Sequence, residues 1–344
     1  MKFIHLADVH FDMVFSSIKD NRELVKKRRL NQKQVFKNAI ELAKEETVNA
    51  IFVAGDLFEN KYVEEDTIKY IISCFNEIPE IKIFITPGNH DPLIKNSPYN
   101  TYSWPDNVHI FGSEIGMYEV DGINIYGIGF EDYEMDSNEI EKLEVDNSKT
   151  NILIAHANLN GATHKYHDIK TKALQKFDYV ALGHIHMPKV DDSNIIYPGS
   201  LTAGGFDELD EHGLVIGEIE NKKVEVQFKK MDFQQFAIKE IDITNFQTVQ
   251  EIVDCLKLDE DIYRLILTGV RHMSISSIEE AIKELPNYIT EIIDNTHLEY
   301  NLDEIAKQNT LKGIFTKNML NILEENPEKE RIILNAIEYI YKNM

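Results

Sequence analysis

Five strand-like apolar segments early in the chain each end at side chains that can bind metal ions. These segments are residues 2–6, 50–54, 81–86, 151–156 and 179–183. In chain order, the polar residues at their ends are Asp8, His10, Asp56, Asn89, His156, His184 and His186. Because α/β folds place their sites at the carboxyl ends of strands, we expect these seven side chains to lie close together.

The order of apolar segments favours a layered α/β fold. Helical patterns at residues 22–46 and 63–76 alternate with the early strands, and further strand-like runs follow at 123–129 and 194–198. The runs "HGLVIGEI" and "KKVEVQFKKM", joined by "ENKK", predict a β-hairpin. We therefore predict one α/β domain over residues 1–231.

The pattern changes after Met231. The strands "FAIKEIDIT" and "DIYRLILTGV" enclose the helix "FQTVQEIVDCLKL", and another helix follows at about residue 278. This predicts a small α+β domain at 232–300. Residues 301–344 are helical, with a break at "EENPEKE".

Composition limits the class of protein. Two cysteines, Cys74 and Cys255, cannot crosslink a chain of 344 residues, so we expect a reducing, intracellular environment. No apolar stretch is long enough for a signal peptide or a membrane span. A cytoplasmic protein with no membrane association is expected. The net charge of -23 means that any contact with a polyanion is local.

The predicted ligands have a coherent chemistry. Asp-x-His alone is weak evidence, whereas "GNHD" and "GHIH" are specific motifs. Imidazoles, carboxylates and an amide without thiolates suit a catalytic site for manganese, iron or zinc. Two ions need about six to eight protein donors. Seven residues suffice if Asp56 bridges both ions.

These motifs resemble a known family. "DVH", "GDLF", "GNHD", the isolated His156 and "GHIH" resemble the calcineurin-like metallophosphoesterases. The segment "YPGSLTAGGFDE", followed by "HG", resembles the SbcD branch of DNA double-strand-break repair nucleases, and "TLKGIFTKNML" resembles its YhaO-type members. The resemblance is tight over residues 1–231. It implies a four-layer α/β/β/α sandwich with a smaller α+β capping domain and C-terminal helices.

The resemblance also implies roles for single residues. The first metal ion is held by Asp8, His10, Asp56 and His186, and the second by Asp56, Asn89, His156 and His184. His90 faces the scissile phosphate as general acid or cationic clamp, and Asp91 orients the His90 ring and raises its pKa.

The implied activity is DNA exonuclease and endonuclease hydrolysis that depends on two divalent ions, manganese above iron, zinc or magnesium. The implied partners are DNA, an SbcC-like coiled-coil ATPase and a second copy of the chain. One position departs from the branch. Archaeal and eukaryotic relatives carry a histidine where this chain has Glu59, which leaves the polarity of cleavage open.

A basic run lies in the first predicted helix, at Lys26, Lys27, Arg28 and Arg29. It is either a set of DNA-phosphate contacts or a solvated helix face.

Two other functions stay open. A cyclic-nucleotide or other small-molecule phosphodiesterase could use the same fold, and a non-catalytic repair scaffold could retain a relic site. Protein phosphatases fit less well, because their motifs read GDxxDRG and GNHE where this chain has "GDLFEN" and "GNHD".

Overall fold

In the computed structural model, which describes residues 1–162, 165–191, 193–232, 234–285, 288–298 and 300–343, the chain divides into two units. The first is Met1–Gln235 and the second is Phe236–Met344.

The first unit is built on two β-sheets. Its strands are β1 Lys2–Leu6, β2 Ala50–Val53, β3 Lys82–Ile85, β4 Val108–Ile110, β5 Gly116–Val120, β6 Ile123–Ile128, β7 Thr150–His156, β8 Asn158–Leu159, β9 Asp168–Ile169, β10 Tyr179–Gly183, β11 Ile195–Ile196, β12 Gly213–Glu220 and β13 Lys223–Lys230. Within the described ranges, one main sheet has the order β13-β12-β1-β2-β3-β4 and the other β11-β10-β7-β6-β5, while β8 and β9 form a separate two-stranded sheet. Strands β12 and β13 form the predicted hairpin.

Helices cover the outer faces of both sheets. They are α1 Arg22–Glu45, α2 Glu65–Asn76, α3 Pro98–Thr101, α4 Glu139–Lys142 and α5 Thr171–Leu174. Phe3, Phe52 and Tyr179 pack in the core between the sheets. Phe36 of α1 packs in a second core and Leu174 of α5 in a third. In the part of the chain that is described, this is the predicted four-layer α/β/β/α sandwich.

Strand direction brings the candidate residues to one edge. Strands β1, β2 and β3 run parallel in one sheet, and β7 and β10 run parallel in the other. Their carboxyl ends are the five positions where the metal-binding residue types occur in the sequence.

The second unit is a βαβαβ arrangement followed by three helices in the described residues. Its elements are β14 Phe236–Asp242, α6 Val249–Leu256, β15 Ile262–Arg271, α7 Ile275–Lys283, β16 Tyr288–Leu298, α8 Leu302–Ala306, α9 Leu311–Glu325 and α10 Glu330–Asn343. The three strands are parallel in the order β14-β15-β16. Strand β16 was not expected, because Glu291, Asp294 and Asn295 interrupt its apolar alternation.

The two cysteines are free thiols, with Cys74 buried and Cys255 half-buried. Among the helices of the described residues, none has the length and apolar character needed to cross a bilayer.

Candidate metal centre

Backbone hydrogen bonds join the loops that follow the central strands. The amide of Asp8 donates to Gly55 O (3.1 Å) and the amide of His10 donates to Asp56 O (2.9 Å). From the other sheet, the amide of His184 donates to both carboxylate oxygens of Asp8, at 3.1 Å each. These bonds fix the ends of β1, β2 and β10 against one another.

The backbone at this edge is strained. Asp8, His10 and Asp56 have φ angles of 51°, 50° and 53°, and His184 has a φ of 97°. Side chains other than glycine rarely adopt this left-handed region, and such strain concentrates at functional sites. The bends turn the side chains of these residues toward a common centre.

Gly55 allows a close approach between two loops at this edge. A Cβ atom on Gly55, whose φ is +88°, would lie 2.4 Å from His156 Nδ1. Glycine at this position therefore lets the β2 loop pass against the ring of a predicted ligand.

The predicted ligands of the first ion lie together. His10 Nε2 is 3.1 Å from His186 Nε2, 3.9 Å from Asp8 Oδ1 and 3.6 Å from Asp56 Oδ2. Asp8, His10 and His186 each offer a ligand atom within 4.8 Å of the others. Asp8, His10 and His186 are thus within reach of one cation, and Asp56 lies next to them through its contact with His10.

The predicted ligands of the second ion lie beside them. His156 Nε2 is 3.0 Å from Asn89 Oδ1 and 3.2 Å from Asp56 Oδ2. The ring of His184 packs edge-on against that of His156, with 5.2 Å between centroids. Because Asp56 is close to both groups, it occupies the position that a bridging carboxylate requires.

The imidazole tautomers show that the first group fits a cation. His10 Nδ1 is 2.8 Å from Glu59 Oε1, and His186 Nδ1 is 2.6 Å from Glu208 Oε1. A carboxylate accepts, so each Nδ1 carries a hydrogen, and each ring has its lone pair on Nε2 when it is neutral. Two such lone pairs facing each other at 3.1 Å repel unless a cation lies near them.

The second group fits in the same way. His156 Nδ1 donates to Ala54 O at 3.0 Å, so Nε2, which faces the oxygens of Asn89 and Asp56, is the nitrogen that a metal ion would meet when the ring is neutral. Oxygen and imidazole donors without thiolates suit hard or borderline divalent ions. The residues therefore provide two adjacent positions for divalent cations.

The electrostatics favour positive charge at both positions. Burial opposes protonation of His156, but Asp56 and Asp8 together raise its pKa to about 9. Burial would also raise the pKa of Asp56, yet the neighbouring imidazoles, chiefly that of His156, lower it far below its ordinary value. Buried carboxylates that stay ionised attract cations strongly, because little solvent screens them.

His90 and Asp91 do not form the pair that we expected. Asp91 is fully buried and accepts from the amides of Gly88 (2.6 Å) and Leu57 (2.7 Å) and from the hydroxyl of Tyr99 (2.6 Å). Adjacent side chains point apart in this turn, so the Asp91 carboxylate braces the loop backbone. The prediction that it orients the His90 ring is wrong.

Glu59 takes that role instead. Its Oε2 lies 3.0 Å from His90 Nδ1 while Oε1 bonds His10. The hydrogen bond to Glu59 raises the pKa of His90 above its ordinary value. The His90 side chain is 46% exposed, so its ring stands at the open side of the centre.

Sequence reasoning missed the contribution of two glutamates. Glu59 was noted only as a departure from a family pattern, and Glu208 only as a letter in "GFDE". Both carboxylates contact a predicted metal ligand through Nδ1. The third residue after Asp56 and the acidic end of "GFDE" were the available signals.

The basic run does not act as one surface. Lys26 and Lys27 are exposed, whereas the Arg28 side chain is fully buried in an ion pair with Asp232. Arg29 lies 3.9 Å from Asp12 and 3.7 Å from Glu64. The prediction that Arg28 contacts DNA is wrong, because its guanidinium is inaccessible. For the other three residues it stays a prediction.

Three comparisons show what this chain is similar to. The model of the family described as calcineurin-like phosphoesterase matches residues 1–188. The chain is 26% identical over 297 residues to the uncharacterized metallophosphoesterase YhaO of Bacillus subtilis (strain 168), covering 78% of this chain and 72% of that protein. A crystal structure of a dimetal phosphatase from Danio rerio, LOC 393393, matches with 10% identity and a TM-score of 0.41, over 67% of this chain and 99% of that one.

Proposed function

The chain belongs to the calcineurin-like phosphoesterase family, and from this we propose that it is a DNA exonuclease and endonuclease of double-strand-break repair. The coarser activity, metal-dependent hydrolysis of phosphoesters, follows from the family and the site. The substrate and the partner are the proposal.

One observation supports the proposal most strongly. Asp8, His10 and His186 form one group that could hold a cation, and Asp8, Asp56 and His156 form another. Asn89 and His184 lie next to His156, and the exposed ring of His90 stands beside the first group. A relic site in a scaffold has no need to keep every donor. Catalysis is therefore favoured over the scaffold function.

Different residues of the site would perform different steps of phosphodiester hydrolysis. Two divalent ions held here would supply Lewis-acid charge and lower the pKa of bound water from 15.7 towards roughly 7. His90, held by Glu59, presents its ring at the open side to donate a proton to the leaving oxygen or to bind a phosphate oxygen. Asp91 keeps the "GNHD" turn closed through its bonds to Gly88 and Leu57.

DNA is preferred over a small ester for reasons of sequence and access. The segment "YPGSLTAGGFDE" resembles SbcD-type nucleases, and its Glu208 contacts a metal ligand. In this proposal residues 232–300, most of which belong to the second unit, form the capping domain that shapes access of duplex DNA. A small-molecule phosphodiesterase gives no reason for that unit.

The C-terminal helices suggest where an SbcC-like ATPase docks. Phe315, Met319 and Leu323 of α9 pack in a small core with α10, whereas Leu311 and Ile314 are 73% and 54% exposed. These last two apolar side chains are available to a coiled coil. Homodimerisation remains part of the same proposal.

The test uses purified full-length protein with manganese and three substrates: end-labelled duplex DNA, bis-p-nitrophenyl phosphate and cyclic AMP. We expect shortening of the labelled DNA and hydrolysis of the nitrophenyl ester. His90→Ala should retain both manganese ions and lose hydrolysis.

Hydrolysis of the small esters with intact DNA would overturn the nuclease proposal and leave the phosphodiesterase activity. Wild-type protein that binds no manganese would overturn the metal centre itself. A truncation after Asp232 tests the cap, since it should keep both metal ions and lose cleavage of duplex DNA.

A further inference from the structure

The segment at residues 199–213 contacts the predicted ligand His186 through the amide of Ser200, which donates to His186 O at 2.9 Å, and through the side chain of Glu208. Glu208 Oε1 lies 2.6 Å from His186 Nδ1, and the Glu208 side chain is only 15% exposed. No other carboxylate in the described residues forms a hydrogen bond or ion pair with this nitrogen. The orientation of the His186 ring therefore depends on where the Glu208 carboxylate is held.

Two groups hold that carboxylate from the side opposite His186. The amide of Gly204 donates to Glu208 Oε2 at 2.8 Å, and the Ser200 hydroxyl lies 3.3 Å from the same oxygen. The Ser200 hydroxyl also bonds His212 Nδ1 at 2.8 Å, and both residues are buried. A Cβ on Gly204 would lie 3.3 Å from Glu208 Oε1, so the backbone comes close to the carboxylate there.

The segment at residues 199–213 is also anchored to the rest of the first unit. Arg28 Nη2 donates to Ala203 O at 2.9 Å, and Asp232 Oδ2 accepts from Ala203 N at 3.2 Å. Arg28 and Asp232 are themselves a fully buried ion pair. The backbone next to Gly204 is thus fixed on both its donor and its acceptor side.

These contacts indicate that Glu208 has a role beyond packing. A carboxylate on Nδ1 fixes both the ring angle of a metal-binding histidine and the tautomer that leaves Nε2 available. We propose that Glu208, held by the 199–213 segment and its Arg28–Asp232 anchor, is a positioning residue that aims His186 Nε2 at the first metal position. This inference rests on the proposed two-metal centre.

The substitution Glu208→Gln tests it. If the amide oxygen accepts from Gly204 N, the NH2 group faces His186 Nδ1 and favours the tautomer with hydrogen on Nε2, which cannot bind metal. We expect one of the two manganese ions to bind about 10- to 100-fold more weakly, with the other unchanged. Isothermal titration of metal-free full-length protein with manganese measures this without reference to activity.

The dependence of hydrolysis on manganese concentration gives a second measurement of the same effect. Hydrolysis of bis-p-nitrophenyl phosphate by Glu208→Gln should recover when manganese is raised, because affinity and not the reacting groups has changed. A purely structural role for Glu208 would give a loss that added manganese does not restore. Glu211→Gln is the matched control, since that side chain is 64% exposed in the same segment.

A second variant covers the case in which Glu208→Gln does not fold. Ser200→Ala removes one of the groups that hold the carboxylate and should weaken manganese binding in the same direction by a smaller factor. Wild-type affinity in both folded variants would overturn the inference. If wild-type protein itself binds no manganese, the proposed centre fails instead, so the two failures are distinguishable.

Discussion

The carboxylate of Glu59 joins a predicted metal ligand to the predicted proton donor. It accepts from His10 Nδ1 at 2.8 Å and from His90 Nδ1 at 3.0 Å, and its side chain is 13% exposed. A glutamine at this position has one accepting oxygen, so it can satisfy one of the two imidazoles. Glu59→Gln therefore removes one of two hydrogen bonds with little change in volume.

The size of the effect follows from those bonds. A hydrogen bond to a charged group contributes about 1.5–3 kcal/mol. Since about 1.36 kcal/mol corresponds to a tenfold rate change, we expect a loss of roughly 10- to 100-fold in kcat/KM for bis-p-nitrophenyl phosphate. At saturating manganese the part that acts through His10 should disappear, and the remaining loss should appear in kcat.

A double-mutant cycle separates Glu59 from the rest of the site. In the His90→Ala background, Glu59→Gln should have almost no further effect on kcat at saturating manganese, because its remaining partner is gone. Glu64→Gln, whose side chain is 68% exposed, is the control in the same loop. Losses that simply multiply would refute the claim that Glu59 acts through His90.

Three further substitutions test a close backbone contact, a buried ion pair and a buried histidine in the first unit. Gly55→Ala should abolish manganese binding at the second position in a titration, because the added Cβ would overlap the ring of His156. The control is Gly122→Ala, which has a φ of +78° and open space around it, and it should lower the unfolding free energy by only about 1 kcal/mol. Arg28→Ala should cost about 3–5 kcal/mol in urea unfolding, since it leaves a buried carboxylate unpaired, against under about 0.5 kcal/mol for Lys26→Ala. Burial lowers the pKa of His5 from 6.5 to about 3, so the unfolded chain binds a proton that the folded one does not, and stability should fall below pH 6.5 by up to about 1.4 kcal/mol per pH unit. Urea unfolding of His5→Gln between pH 6.5 and 4.5 should show a slope smaller by that amount.

The parts of the fold that sequence predicts are those with a local signal. Strand β1 and helix α1 were predicted within a residue of their bounds because apolar periodicity and a polar start define them. The short strands β4 and β5 were missed. Residues 116–120 are half-buried or exposed, so their pattern is indistinguishable from that of a loop.

The positions of the ligands were predictable for a different reason. Each ligand lies within a few residues of a strand end, so parallel strand order alone brings them together. The groups that orient those ligands come from further away. Glu59 and Glu208 reach His10 and His186 across 49 and 22 residues of chain, from loops whose course depends on tertiary packing.

The same distinction explains the error at Asp91. Proximity in sequence suggested a bond to its neighbour His90, but the nearest donors in space are the amides of Gly88 and Leu57, and burial selects them. A buried carboxylate without hydrogen bonds is costly in free energy, so Asp91 accepts hydrogen bonds from backbone amides and from the hydroxyl of Tyr99. The exposed ring of the neighbouring His90 bonds Glu59 instead.

The charge of the site links metal binding to substrate binding. Four carboxylates, those of Asp8, Asp56, Glu59 and Glu208, are buried or nearly so around the candidate metal centre, in a chain of net charge -23. Without cations these groups repel a phosphodiester, because little solvent screens them. The ions that complete the ligand set also reverse the local sign, so substrate affinity and metal occupancy should rise together.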